Sequence, residues 1–201
     1  MFYRAGEPHG LPHDPFKAIV SPRPIAWIST RGAGGDNLSP YSFFNAVAGN
    51  PPQLIFSSNA TKPDRERGKD TLSLIEETGV FCVNIAGWDL REEMNASSAP
   101  YPADTDEFEA VGLEKAECQE IDCPRVAAAP ASLECHLKQV VELDGDHNYL
   151  VIGRVVAFHL ADAHLKEGIF DVTSYRPLSR LGYMDFASVD EVFSLPRPKK
   201  A

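Results

Sequence analysis

The 201-residue chain has no long hydrophobic run. Its most apolar stretches, such as 149–152 and 155–158, are far shorter than the roughly 20 residues that a membrane-spanning helix needs. The first fifteen residues are interrupted by Pro, Gly, His and Asp, so they lack the apolar segment of a signal peptide. These absences predict a cytoplasmic protein that does not use a membrane as a partner.

Basic residues are also scarce. The sequence has 19 Lys and Arg against 29 Asp and Glu, which gives a formal net charge of -10. Binding a nucleic acid backbone requires a strongly basic face, and this charge balance argues against one. The 43% hydrophobic and 24% charged residues are typical of an ordinary globular protein, so we exclude nucleic acid as a partner.

Cysteine is limited to four residues, and no two of them form a C-x-x-C pair. In a reducing cytoplasm they are expected to be free thiols. Cys118 and Cys123 form a C-x4-C spacing in an acidic segment flanked by proline, which is a poor match to zinc-ligand patterns. The six histidines show no ligand spacing either, and we therefore predict no metal site.

Several sequence signatures of catalysis are missing as well. The chain contains no G-x-G-x-x-G, no G-x-x-x-x-G-K-S/T and no G-x-S-x-G. A kinase, a serine hydrolase and a classical dinucleotide-binding domain therefore have no support in the sequence.

What the sequence does contain is a series of short β-like runs separated by Gly, Pro and Asn. Predicted strands cover 25–30, 41–47, 54–58, 80–86, 133–143 and 149–160, and Asp144-Gly145-Asp146 is a hairpin signal between the last two. Helical patterns are limited to 72–78 and 89–97, and 99–130 is loop-like. Strands and helices do not alternate as in βαβ units, so we predict a mainly β fold with a few short helices.

The segment 62–71 concentrates four of the basic residues in an otherwise acidic chain. It directly precedes the helix predicted from residue 72, with Asp70 and Thr71 as capping residues. Unpaired N–H groups at a helix start favour an anion, and Arg67 and Lys69 would add charge there while the Thr71 hydroxyl donates a hydrogen bond. The alternative is a solvated charged loop with an ordinary helix cap.

Two further segments carry polar groups beside aromatic ones. Residues 37–45, N-L-S-P-Y-S-F-F-N, could line a pocket for a flat heteroaromatic ring, or could form a turn entering an edge strand. Ser57-Ser58-Asn59 ends the next predicted strand and fits either a loop or a binding edge. His147 stands alone at a strand start, where a solvated histidine is the default interpretation.

These segments, taken together, resemble the flavin reductase-like, FMN-binding split-barrel family. The resemblance is closest to flavoredoxins and to the reductase components of flavin monooxygenases. It rests on six motifs in the family's order: L-P-H-D-P-F-K-A-I-V-S-P-R-P-I-A-W-I-S-T (11–30), N-L-S-P-Y-S-F-F-N (37–45), R-G-K-D-T (67–71), F-C-V-N-I (81–85), G-D-H-N-Y-L-V-I-G-R-V (145–155) and L-S-R-L-G-Y (178–183). It implies one split β-barrel domain over 1–201, with a core at about 11–184 and a C-terminal tail at 185–201. It also implies a homodimer with FMN bound at or near the subunit interface.

The resemblance assigns roles to individual residues. It places His147 beside the flavin edge as the candidate catalytic residue, with Gly153 keeping the wall of the site low. It assigns the FMN phosphate to Arg67, Lys69, Asp70 and Thr71. It assigns the ring and ribityl chain to Asn37, Ser39, Tyr41, Ser42 and Ser57, with Arg23 nearby.

The implied function is an NAD(P)H:flavin oxidoreductase, with FMN as cofactor and NADH or NADPH as electron donor. It would supply reduced flavin or electrons to a partner such as a monooxygenase or another acceptor protein. Hydride transfer to a flavin needs positioning rather than an acid–base pair, which agrees with the lack of a catalytic dyad in the sequence. The alternatives are a non-enzymatic flavoprotein electron carrier or flavin-binding module, and a split barrel that binds haem or another aromatic ligand.

Overall fold

The computed structural model describes residues 1–59, 70–102 and 104–198, and it is mainly β, as predicted. Most of the predicted phosphate-binding segment 62–71, up to residue 69, lies outside the described residues. The strands are β1 (Arg23–Pro24), β2 (Ala26–Gly32), β3 (Gly35–Tyr41), β4 (Phe44–Gly49), β5 (Pro52–Asn59), β6 (Val80–Ile85), β7 (Lys115–Glu117), β8 (Pro124–Val126), β9 (Ala131–Glu142), β10 (Asn148–Leu160), β11 (Leu165–Lys166), β12 (Ile169–Phe170), β13 (Leu178–Arg180) and β14 (Phe186–Ser188). The helices are α1 (Phe16–Ile19), α2 (Asp70–Thr78), α3 (Arg91–Ala96), α4 (Glu107–Ala110) and α5 (Val172–Tyr175), with 3-10 turns at Trp88–Leu90 and Asp162–His164.

The main sheet has seven antiparallel strands in the order β3-β2-β6-β9-β10-β5-β4. Its two edge strands, β3 and β4, are consecutive in the chain and are joined by Ser42 and Phe43. Tyr41 at the end of β3 packs on Phe56 of β5, with ring centroids 5.0 Å apart. The sheet therefore curves until its two edges come together at 42–43.

The concave side of this sheet holds the main core. Alternate residues of β2, β5, β6, β9 and β10 point into it and pack against the buried face of α2, as expected from the period of two in a half-buried strand. The ring of Phe81 packs edge-on to Phe56 at 5.6 Å near its centre. The fully buried members are Ala26, Ile28, Phe56, Leu72, Ile75, Phe81, Val83, Cys135 and Val151.

A second core lies on the other side of β2 and β3. Trp27, Leu38 and Phe108 are fully buried there and pack with Leu178 of β13. The Trp27 indole Nε1 donates a hydrogen bond to the Ser97 hydroxyl at 2.9 Å, so the buried ring has its polar atom satisfied. This core attaches the small β1-β13-β14 sheet next to the edge of the main sheet.

Four predicted segments differ in detail from the structure. The strand predicted at 41–47 spans the last residue of β3, the link at 42–43 and most of β4. The helix expected at 89–97 is a 3-10 turn followed by α3, and the loop-like 99–130 contains α4 and the β7–β8 hairpin. The tail expected from residue 185 contributes β14, which pairs with β13. Elements of three or four residues are too short to show a hydrophobic period. What forms α4 is its N-cap, because the Asp106 carboxylate accepts the Phe108 N–H at 2.9 Å.

The structure corrects the role expected for Gly153. A Cβ on this residue would lie 2.5 Å from Cζ of Phe81 and 3.4 Å from Cδ1 of Leu54, both of which are core side chains. Gly153 therefore leaves room for Phe81 inside the core and does not lower a wall of the binding site.

We expect Gly153→Ala to lower the free energy of unfolding by about 1–3 kcal/mol, because the added methyl overpacks a fixed aromatic ring. Gly34→Ala is the matched control, since a Cβ there meets nothing within 4 Å. Urea denaturation of both variants measures the difference. Equal stability of the two variants would contradict this placement of Gly153.

Within the described part of the chain, no helix is both long enough and apolar enough to cross a bilayer.

Candidate functional site

A cavity of about 260 Å³ opens where the two edges of the main sheet meet and β13 passes beside them. Its walls come from α1, from the turn between β3 and β4, from the end of β5 and from the segment after β13. The lining residues are Lys17, Arg23, Pro40, Tyr41, Ser42, Phe43, Ser57, Asn59, Arg180, Leu181 and Tyr183. We call it the edge cavity.

The edge cavity has a strongly cationic wall. Arg23 and Arg180 are directly opposite each other across the β1–β13 pair, and Lys17 lies near them. Arg23 is buried, with its guanidinium donating to the carbonyls of Lys17, Val20 and Leu181. Burial, and then the neighbouring charge of Arg180, lower the pKa of Arg23 from its ordinary value.

No carboxylate is present among the described residues that line this cavity. Neither Arg23 nor Arg180 forms an ion pair with a described acid. The Phe43 ring lies under two of the cations, 5.7 Å from the Arg23 guanidinium and 5.9 Å from the Lys17 ammonium. In a chain of net charge -10, an acid-free cluster of three cations favours an anionic or electron-rich ligand.

Two buried polar atoms at the edge cavity have no hydrogen-bond partner among the described residues. They are Nε of Arg23, a donor, and Oδ1 of Asn59, an acceptor. Buried polar groups are nearly always paired, so each unpaired atom at a cavity indicates a missing partner. A ligand with both an acceptor and an N–H donor on a flat edge would satisfy them.

Behind the cavity lies a buried hydrogen-bonded cluster. The Thr71 hydroxyl donates to Oδ1 of Asn37 at 2.6 Å, and Nδ2 of Asn37 donates to both carboxylate oxygens of Glu107 at 3.0 Å. The Tyr41 phenol lies beside this cluster, near the hydroxyls of Thr71, Ser39 and Ser58. Burial raises the pKa of Tyr41 to about 12, so its phenol is neutral.

The structure brings some of the predicted site residues to the cavity and places others elsewhere. Those that line it are Arg23, Tyr41, Ser42 and Ser57. Those in the cluster behind it are Asn37, Ser39 and Thr71. Because the Thr71 hydroxyl proton is donated to Asn37, this side chain supports the cavity wall from behind.

Asp70 and Thr71 lie in the first turn of α2 and not before it. Arg67 and Lys69 lie outside the described residues. His147 is exposed in the β9–β10 turn, with a left-handed φ of 56°, and does not belong to the described lining of the cavity. The next residue, Asn148, pairs with Asn59, so the turn adjoins the cavity from one end.

More than half of the lining residues have no role assigned from the sequence, although a signal for part of them is present. The motif L-S-R-L-G-Y contributes three residues to the cavity. The lining residues without a predicted role are Lys17, Pro40, Phe43, Asn59, Arg180, Leu181 and Tyr183.

A larger cavity of about 710 Å³ adjoins the first and shares Pro40, Ser42 and Arg180 with it. It combines apolar and aromatic side chains with a second arginine, Arg91, from α3. Arg91 stacks over the Trp88 ring at 4.6 Å, so its charge is held at the cavity wall. We call this space the outer cavity.

The family model described as "Flavin reductase like domain" matches residues 20–179 of this chain. The chain belongs to the flavin reductase-like family. The matched residues include lining residues of both cavities, from Arg23 to Leu178. The family expected from the six motifs is confirmed.

Individual relatives agree with this family. The chain is 36% identical over 184 residues to the uncharacterized protein BH2278 of Halalkalibacterium halodurans, covering 89% of this chain and 87% of that one. The crystal structure of nitrilotriacetate monooxygenase component B from Bacillus cereus superimposes with a TM-score of 0.82 at 32% identity, covering 89% and 90% of the two chains. A split barrel domain protein from Shewanella frigidimarina NCIMB 400 gives a TM-score of 0.79 at 23% identity, covering 90% and 89%. This flavin reductase-like protein is therefore a split barrel, as predicted.

Proposed function

We propose that this protein is an FMN-dependent NAD(P)H:flavin oxidoreductase that supplies reduced flavin or electrons to a partner protein. The observation that carries the proposal is the edge cavity, where three cations and two unpartnered polar atoms meet without a carboxylate among the described lining residues. The partner we propose is a monooxygenase or another electron acceptor, because the Bacillus cereus relative is itself a monooxygenase component.

The residues present fit a flavin. Its pyrimidine edge carries both carbonyl acceptors and an N–H donor, which matches the unpaired Nε of Arg23 and Oδ1 of Asn59. Ser42 and Ser57 add hydroxyl groups on the same wall, while Phe43 and Tyr183 supply apolar ring contacts. Arg180 would favour the electron-rich form of the ring, because a positive charge beside it stabilises added negative charge.

The phosphate of FMN would be held at the start of α2. Arg67 and Lys69 precede this helix in the chain, and Asp70 and Thr71 form its first turn. The first N–H groups of a helix lack acceptors within it and favour an anion. Thr71 also fixes Asn37, which ties the helix start to β3 behind the edge cavity.

The outer cavity is the place we propose for the nicotinamide donor. Bound FMN would supply the hydride acceptor. The chain's own contribution is to orient the donor and exclude water, with Arg91 and Arg180 available to its phosphate groups and Trp88 to an aromatic ring. His147 lies in the β9–β10 turn, which adjoins the edge cavity. It would orient the nicotinamide where this ring meets the flavin, and this role needs no proton transfer.

The test is NADH and NADPH oxidation with FMN, FAD and riboflavin as acceptors. We expect turnover that depends on added flavin. Arg91→Gln should raise the KM for the nicotinamide by about tenfold, as expected for a lost charge-assisted contact. The matched control is Arg154→Gln, an exposed arginine on β10, which should leave the KM unchanged. A yellow protein inert towards both nucleotides would favour the electron carrier instead.

We also propose a homodimer. Apolar side chains near the edge cavity are exposed in the single chain, among them Ile19 at 73% and Met184 at 83%, and Tyr183 lies at the cavity itself. A second copy covering this surface would shield the cavity from water. Light scattering should give the mass of a dimer at micromolar concentration, and Met184→Asp should weaken both the dimer and FMN retention. A monomer that retains FMN would contradict this placement of the interface.

A further inference from the structure

The outer side of the main sheet carries a group of reactive side chains that the flavin site does not use. Cys82 on β6 and Glu134 on β9 are direct neighbours across the sheet. Both are fully buried and face away from the main core, which contains Cys135 on the opposite face. The hairpin of β7 and β8 covers them and brings two more cysteines, Cys118 and Cys123.

The Glu134 side chain holds this group in place. Its carboxylate accepts the N–H groups of Gln119 and Glu120, both at 2.8 Å, and that of Ile121 at 3.1 Å. Nε2 of His159 lies 2.5 Å from the same carboxylate. The loop 119–121 is thereby held over the sheet, and the His159 ring is oriented by a buried acid.

Cys118 lies at the centre of the group. Its Sγ lies within 4.8 Å of a carboxylate oxygen of Glu134 and of a ring nitrogen of His159, and the thiols of Cys123 and Cys82 are its neighbours. It is also partly exposed, whereas Cys82, Cys123 and Cys135 are buried. A small oxidant can therefore reach Cys118 before the other three thiols.

The environment favours the thiolate at Cys118. The neighbouring thiols of Cys123 and then Cys82 lower the pKa of this thiol, and His159 acts in the same direction, which together outweigh the opposite effects of burial and of the Glu134 carboxylate. The neighbouring Cys118 and burial raise the pKa of Cys123. Since the thiolate is the reactive form, a lowered pKa at Cys118 favours reaction at the most accessible of the four cysteines.

The hairpin that carries Cys118 is fixed in place. Arg31 of β2 donates to Glu117 at 2.8 Å and to Asp122 at 3.0 Å, on either side of the loop. The N–H of Cys118 donates to the carbonyl of Cys123 at 3.1 Å, so the two cysteines are opposite each other across the hairpin. The paired strands end one residue earlier, at Glu117 and Pro124, and directly opposite residues of antiparallel strands have Cα atoms about 4.5–5.5 Å apart, within the usual range for a disulfide.

We propose that Cys118 is a peroxide-reactive thiol and that Cys123 converts its oxidised form into a disulfide. The substrate class is a hydroperoxide. The Cys118 thiolate attacks the peroxide, a sulfur–oxygen bond forms and the oxygen–oxygen bond breaks, which leaves a sulfenic acid and hydroxide or, from an organic hydroperoxide, an alkoxide. The Cys123 sulfur then attacks the sulfenic sulfur, and the new S–S bond expels the oxygen as water. Two thiols are oxidised, one hydroperoxide is reduced, and the thiol protons complete the departing oxygens as water or alcohol.

The experiment treats the reduced, full-length protein with one equivalent of hydrogen peroxide and follows it by peptide mass mapping. Trypsin is expected to release 116–125 as one peptide, because no Lys or Arg lies between Lys115 and Arg125. A Cys118–Cys123 bond is therefore an internal loop that lowers the mass of this peptide by two hydrogens. A bond from Cys118 to Cys82 would instead join two peptides.

Variants separate the two roles. Cys118→Ser should slow peroxide-driven thiol loss by at least about tenfold, as expected when the reactive thiolate is removed. Cys123→Ser should stop the reaction at a sulfenic acid on Cys118 that dimedone traps. Cys135→Ser, a buried cysteine on the other face of the sheet, is the matched control and should react like the unmodified protein.

Three results would overturn the proposal. They are unchanged oxidation of Cys118→Ser, a Cys82–Cys118 link in place of the internal loop, and a stoichiometric metal ion in the purified protein that is lost in Cys118→Ser. The peptide map of the unsubstituted protein decides the pairing even if a variant fails to fold. None of these readouts depends on bound flavin, so the proposed reductase function can fail while this proposal stands.

Discussion

Lys69→Ala and Arg67→Ala should each weaken FMN binding by about 10- to 150-fold while changing riboflavin affinity little. Each charge-assisted contact to a phosphate is worth about 1.5–3 kcal/mol, and riboflavin has no phosphate with which to form one. Flavin fluorescence titrations of FMN and riboflavin, run side by side, measure this selectivity. Thr71→Val should give a smaller change, because its hydroxyl supports Asn37 from behind the edge cavity.

The control for this pair is Arg180→Gln. Arg180 lines both cavities near the proposed position of the ring, so its loss should weaken FMN and riboflavin by similar factors. If Lys69→Ala and Arg67→Ala also reduced both affinities equally, the two residues would not contact the phosphate. Changes within about twofold, typical of exposed positions, would instead indicate a solvated loop.

Glu134→Leu should lower the free energy of unfolding by about 3–5 kcal/mol, since three backbone N–H groups lose their buried acceptor. Glu120→Gln is the control, because that side chain is exposed in the same loop and should change stability by less than about 0.5 kcal/mol. Urea denaturation measures both variants. Equal effects of the two substitutions would show that the carboxylate does not hold the loop.

The contribution of Glu134 should also depend on pH. Burial alone would raise the pKa of this carboxyl, but the N–H of Gln119 and the His159 ring outweigh it and hold the pKa below its ordinary value. A lowered folded-state pKa stabilises the protein above the ordinary glutamate pKa of about 4.3. This stabilisation disappears as the pH falls further, through the folded-state pKa. The stability difference between the unsubstituted protein and Glu134→Gln should therefore shrink on acidification below about pH 4.

The long strands and the region of the site could be predicted because each depends on a local pattern. β9 and β10 run for 12 and 13 residues around a Gly-containing turn, and their β-branched and aromatic content is visible in the sequence. Ser42 lies near the start of the predicted strand 41–47 and Ser57 near the end of the predicted strand 54–58, and both line the edge cavity. These positions follow from the order of strands and turns along the chain.

Other features depend on contacts between distant segments. Arg180 reaches the edge cavity only because β13 pairs with β1, a relation between residues far apart in the chain. Asn37 points into a buried cluster because Glu107 of α4 accepts its amide, and α4 is too short to predict from periodicity. The grouping of Cys118 with Glu134 and His159 arises from the β7–β8 hairpin, whose strands of three residues each lie in a segment that the sequence predicts to be loop.

The central claim is that the edge cavity binds FMN, and the visible absorption spectrum of the protein tests it most directly. We predict that the protein, incubated with FMN and freed of excess by gel filtration, keeps the bands of an oxidised flavin, with the fluorescence of the ring altered by the protein. Arg180→Gln should retain less flavin under the same conditions, while Arg154→Gln should retain as much as the unsubstituted protein. A colourless protein after gel filtration, or a Soret band in the protein as purified, would contradict the account.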